Sequence, residues 1–148
     1  MSFREKTAWV CLISTIAVYV PYFAHVYRLF DCGELTAGAA LSLFIGAVVA
    51  QTLLGIASGA AIAVVGSRQA PRDERDAAIG CRSYRNAYLI LVSACFSAVV
   101  GVVALTLAPA SPARRPEPVA IAQVLFLCGV VAEAARYLTQ AVSYRRGV

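Results

Sequence analysis

Charge is what this chain is shortest of. Only 14% of its 148 residues are Asp, Glu, Lys or Arg, while 60% are hydrophobic; a water-soluble domain carries about a quarter charged residues. So few charges cannot cover the apolar surface of a folded chain of this size. The mean hydropathy of +0.73 points to lipid as the solvent for much of it. Histidine is nearly missing as well. His25 stands alone, so the usual zinc ligand sets are out of reach. Paired thiols are absent: Cys11, Cys32, Cys81, Cys95 and Cys128 are odd in number, scattered, and form no C-x-x-C. That argues against a membrane thiol oxidoreductase, which needs two cysteines for exchange. Cys11, Cys95 and Cys128 lie in apolar runs, where cysteine acts as a small hydrophobe. No nucleotide loop, nucleophile elbow or zinc motif occurs. The expectation is a protein that is not an enzyme and carries no cofactor and no metal.

What the chain has instead is four long apolar runs, at about Thr7–Leu29, Ala37–Val65, Tyr84–Leu107 and Val119–Ser143. Each exceeds the roughly 20 residues a helix needs to cross a bilayer. They predict an all-α fold, a four-transmembrane-helix bundle forming a single integral membrane domain over 1–148. The first run is too long for a signal peptide and is followed by no small-x-small cleavage site. Its outer half holds Pro21, expected to kink the helix, then the aromatic Tyr22–Tyr27 segment typical of a membrane interface. A tight turn is expected over Phe30–Thr36. The stretch Ala108–Pro118, with Pro109, Pro112, Pro116 and Pro118, reads as an exposed loop.

The polar segment between the second and third runs, Gly66 to Arg85, sets the orientation. The net charge of +5 does not suggest nucleic acid, because the positive residues flank apolar runs, where they set topology and touch anionic head groups. One side of the membrane receives Arg4, Lys6, the five arginines from Arg68 to Arg85, Arg145 and Arg146; the other receives Arg28, Arg114 and Arg115. The positive-inside bias places both termini and the Gly66–Arg85 segment in the cytoplasm. From Pro71 onward the segment reads as helix, capped by Asp73 and running through Arg82 and Arg85 into the third span. Its alternating Asp73, Glu74, Arg75, Asp76, Arg82 and Arg85 form either a solvated face with i,i+3 and i,i+4 pairs or a docking surface for a cytoplasmic protein.

Two features inside the spans invite a role. Gly55 and Gly59 make a G-x-x-x-G in a run rich in small residues, which lets another helix approach closely, within the chain or in a homo-oligomer. In the fourth span Glu133, Arg136 and Gln140 recur at helical spacing on one face. Glu133 lies about 16 Å from Tyr144 along the helix, near the middle of a roughly 30 Å core. Charges at such depth are costly unless paired. Gln51 in the second span could contribute a hydrogen bond, and Arg85 or Asn86 could reach Arg136 or Gln140. Three readings stay open: a polar clasp that fixes helix packing, a proton or cation site on Glu133 with Arg136 beside it, or a head group held by Arg136. At the outer edge His25, Asp31 and Glu34 form at best a weak cation site.

Several segments resemble a group of small bacterial four-helix integral membrane proteins with no established activity. The matching pieces are Ser2-Phe3-Arg4-Glu5-Lys6 with Ala8-Trp9, Tyr19-Val20-Pro21-Tyr22-Phe23, and Asp73-Glu74-Arg75-Asp76 with Arg82-Ser83-Tyr84-Arg85-Asn86-Ala87-Tyr88. Ala132-Glu133-Ala134-Ala135-Arg136-Tyr137, Gln140 and Tyr144-Arg145-Arg146-Gly147 complete them. The resemblance spans nearly the whole chain and implies a multi-pass protein of the bacterial inner membrane; it carries over no catalytic residue. The leading expectation is a regulatory or accessory component acting through its cytoplasmic loop, with a small proton- or cation-coupled transporter using Glu133 and Arg136 as the alternative.

Overall fold

The computed structural model describes residues 3–65, 74–107 and 117–146, which form four helices: α1 (Phe3–Asp31), α2 (Ala37–Val65), α3 (Glu74–Leu107) and α4 (Pro118–Arg146). Each has 29 residues or more, so each is longer than about 40 Å and exceeds the hydrocarbon core. All four are long and apolar enough to cross a membrane. α2 coincides with the expected span. The others overshoot it because Arg4–Lys6, Glu74–Ser83 and Tyr144–Arg146 continue the helices beyond their apolar parts. Asp73, expected as the cap of α3, and the proline-rich stretch 108–116 lie outside the described residues. Pro21 sits within α1 and does not end it.

The boundaries follow local chemistry. Gly33 adopts φ +72°, a conformation glycine reaches without a Cβ penalty. Its N–H bonds to the Phe30 carbonyl at 3.1 Å, and that of Glu34 reaches back to Leu29 at 2.9 Å, the paired closure that ends a helix on a left-handed residue. Three residues on, the Thr36 hydroxyl accepts the Ala39 N–H at 3.2 Å and caps α2. Pro118 occupies the first position of α4, where its missing N–H costs nothing.

α4 packs against both α1 and α3, and α2 packs chiefly against α1. The bundle is inverted relative to a water-soluble one. Its interior holds small and polar residues, including Ala8, Ala132, Ala141, Thr15 and Ser83, with Thr15 1% and Ser83 0% exposed. Large apolar side chains point outward, as with Ile13 at 62% and Phe96 at 70% exposure. Water would not tolerate a surface this apolar, whereas lipid makes it the favourable one. At the turn-side end of α1 an aromatic cluster joins three helices: Phe126 of α4 meets Tyr19, Tyr22 and Phe23 of α1 and Phe44 of α2, with ring centroids 4.8–5.7 Å apart.

One expectation is corrected here. Gly55 and Gly59 do not admit a neighbouring helix of the same chain among the described residues: a Cβ built on either would meet none of their atoms within 4 Å. α2 is an edge helix, and that face points away from α1.

Replacing Gly33 by Ala forces a side chain into the left-handed region, so G33A is expected to destabilise the protein by about 1–2 kcal/mol. Thermal unfolding in detergent checks this, and an unchanged midpoint would mean that the turn relaxes freely.

Candidate functional site

The polar residues of the spans converge on α4. Because α4 packs against both α1 and α3, its polar side chains reach α1 near one end and α3 along the rest, and each depth carries its own contact. Near the α1–α2 turn, the Tyr22 hydroxyl donates to Gln123 Oε1 at 2.6 Å. Deeper, Arg136 Nη2 lies 2.6 Å from Glu133 Oε1, as the i,i+3 spacing predicts. Arg136 Nη1 donates to the Tyr84 hydroxyl of α3 at 3.0 Å. The guanidinium is also bracketed by two rings, with its Cζ 5.0 Å from the Tyr84 centroid and 4.5 Å from that of Tyr137, so cation–π attraction adds to the ion pair. The Cys11 thiol of α1 and the Tyr137 hydroxyl border the same pair. With both terminal nitrogens engaged, Arg136 Nε is left buried without a hydrogen-bond partner among the described residues.

One turn further along, Gln140 Nε2 donates to Ser83 Oγ at 3.1 Å, and that hydroxyl donates to the Gly80 carbonyl at 2.7 Å. Finally Tyr144 donates to Asp76 Oδ1 at 3.2 Å, while Asp76 Oδ2 lies 3.1 Å from Arg4 Nη1. This last group ties α1, α3 and α4 together at the end where the chain termini and the start of α3 meet.

Of the expected cluster, Glu133 and Arg136 are joined directly and Gln140 lies on the same side of α4, but Gln51 stands apart. Its Nε2 approaches Thr15 Oγ1 at 3.3 Å and Ser14 Oγ at 3.5 Å. It therefore ties α2 to α1. Both hydroxyls donate to the Cys11 carbonyl at 2.9 Å. Arg85 and Asn86 do not reach Arg136 or Gln140. Tyr84 and Ser83 do, Ser83 from the buried side of α3 and Tyr84 from its edge, where hydroxyl and ring reach Arg136. Asp76 is part of a contact between helices, so the acid–base alternation of this segment is not a wholly solvated face. His25, Asp31 and Glu34 assemble no metal-ligand cluster among the described residues.

Several participants escaped sequence reasoning, among them Tyr84, Ser83 and Tyr144 on α3 and α4. Their signal was present, since Tyr84 lies at the span edge and aromatic faces attract guanidinium groups. The approach of Cys128 on α4 to Cys95 on α3 had no such signal, because the two are far apart in sequence. Both remain free thiols.

Comparison with protein-family models, with curated proteins and with solved structures found no match. The helices and their inverted packing decide the class. The chain is a four-span integral membrane protein. Lipid contact follows from that, and no family is assigned.

The Glu133–Arg136 pair yields a stability prediction. Arg136→Leu strands the carboxylate at membrane depth and is expected to cost about 2.5–3.5 kcal/mol, near the insertion penalty of an unpaired acid. The double change Glu133→Leu with Arg136→Leu should recover most of that. Unfolding in mixed micelles measures both, and a double variant as unstable as the single one would show that the pair is not what the arginine serves.

Proposed function

We propose that this is a non-enzymatic membrane protein, a regulatory or accessory component, oriented with both termini and the start of α3 in the cytoplasm of a bacterial inner-membrane setting. The excess of Lys and Arg at that end supports the orientation. The observation that carries the role is the first part of α3. From Glu74 it extends ten residues beyond Tyr84, the inner edge of its apolar run, a projection of about 15 Å. The contact of Asp76 with Arg4 and Tyr144 holds this projection to the other helices, and Glu74 and Arg75 are exposed near its tip. A helix presented at a fixed angle, charged and clear of the lipid, suits a cytoplasmic protein partner.

The test is recovery of tagged protein from native membranes after mild cross-linking. Charge reversal at Arg75 should abolish capture of any specific partner while unfolding stays unchanged. Undiminished capture would remove the basis for this role.

A second reading has its own support. The Glu133 side chain is 44% exposed although it lies deep in α4, so the carboxylate is paired but not sealed off. A small proton- or cation-coupled transporter would use it as the carrier group, with Arg136 stabilising the charged form. In reconstituted vesicles Glu133→Gln should then abolish proton flux while the protein still folds. Flux that persists, or is absent from the parent protein as well, excludes this reading.

A further inference from the structure

Along α3, Asp76, Ile79, Ser83, Asn86, Ile90, Ser93 and Ser97 recur at steps of three and four and share one face. The first part of that face is covered, with Ile79 4% and Ser83 0% exposed, because α1 and α4 close over it at the Asp76 contact. Higher up the cover ends. Ser93 and Ser97 are exposed, and a shallow, largely open groove of about 430 Å³ runs over this face of α3 alone, along Leu89, Ile90, Ser93, Ala94 and Ser97.

The groove runs from Leu89 to Ser97, a rise of about 12 Å, close to the depth of one hydrocarbon leaflet at roughly 15 Å. Its walls are largely apolar, and the Ser97 hydroxyl is turned back onto its own helix, donating to the Ser93 carbonyl at 2.8 Å. At its foot, one to two turns before Leu89, stand Arg82 and Arg85. Both are exposed, and no hydrogen bond or ion pair engages either among the described residues.

We propose that Arg82, Arg85 and this groove form a seat for one anionic phospholipid of the leaflet on the side of the chain termini, its phosphate at the two arginines and an acyl chain along Leu89 to Ser97. Charge selects the occupant. A second copy related by a twofold axis along the membrane normal would bring its own Arg82 and Arg85 against these, like charge on like. A lipid phosphate instead completes both guanidinium groups. The proposal rests on the four-span fold and not on the partner role of Glu74 and Arg75, which lie about two turns away.

The test is native mass spectrometry of the whole protein, delipidated in mild detergent and titrated with phosphatidylglycerol or phosphatidylcholine. One phosphatidylglycerol should bind in preference to phosphatidylcholine. Removing charge with Arg82→Gln and Arg85→Gln should weaken it roughly fivefold per arginine, whereas Arg82→Lys with Arg85→Lys should retain most of the binding. Ala94→Phe, which fills the groove and leaves every charge in place, should abolish the bound lipid. Equal retention of the two lipids, or phosphatidylglycerol binding indifferent to Ala94→Phe, overturns the proposal. A dimer that disappears with Ala94→Phe would assign the groove to a second copy and overturn it as well.

Discussion

In a bilayer, two apolar helices gain little by touching each other, because lipid tails are as apolar as their side chains. Association then depends on close packing and on polar groups that have no better partner than a neighbouring helix. α4 is where this chain meets that condition. Gln123, Arg136, Gln140 and Tyr144 each bond to α1 or α3 at a different depth, so the three helices are registered along their whole length. Many of the residues packed between them are small, with Leu12, Tyr22, Val26 and Ile79 the larger exceptions, and most of the large ones are left for the lipid. An apolar bundle without these contacts would be free to slide and rotate; with them, one register satisfies every group.

The Glu133–Arg136 pair is the costliest member of the series, and the way it is housed shows how the cost is met. Placing both charges on one helix, three residues apart, keeps them together even before neighbouring helices dock, so neither crosses the lipid alone. Docking of α3 then adds the Tyr84 hydroxyl and ring, and Tyr137 closes the other side. Guanidinium tolerates this setting better than an ammonium would, since it is planar, weakly hydrated and able to stack. The partial exposure of the Glu133 side chain is the feature a purely structural clasp does not require. For that reason the carrier reading keeps a place beside the accessory one.

The number and type of elements were plain from the sequence, because a run of more than 20 apolar residues has few alternatives to a spanning helix. The α1–α2 turn was equally plain, with Gly33 and Thr36 placed where a stop and a cap are needed. The pairing of Glu133 with Arg136 could be read because it is local to one helix. What could not be read was the order of the helices around α4. Hydropathy says that a face is apolar and not which neighbour it meets, so Gln51 was assigned to the wrong partners and Arg85 was preferred to Tyr84. For the glycines of α2 only the reading within the chain fails, for a related reason: small residues permit close approach without requiring it, and here their face is turned outward from the described residues. Notably, Arg4, Asp76, Ser83, Tyr84, Glu133, Arg136, Gln140 and Tyr144 all belong to the segments that carry the resemblance noted from sequence. Those segments share a physical role in this chain, as the polar seams between helices.

α2 is the exception that shows what the seams contribute. It contains no charged residue, and its polar tie to the other helices among the described residues is one glutamine over two hydroxyls, beside the apolar packing of Ala47 on Tyr22 and Val26 and of Phe44 on Phe126. Gln51 Oε1 is itself buried without a partner among the described residues, so even that tie is only half used. The α1–α4–α3 unit is cross-linked at each depth, while α2 is anchored near its start by the turn and near its middle by Gln51. Beyond Gln51 its outer face is entirely apolar or small. Rigidity therefore falls off from α4 toward α2. A change in packing that moved α2 against α1 would break the Gln51 contacts and the apolar packing of Ala47 on Tyr22 and Val26, whereas moving α3 against α4 would break the ion-bearing seam itself.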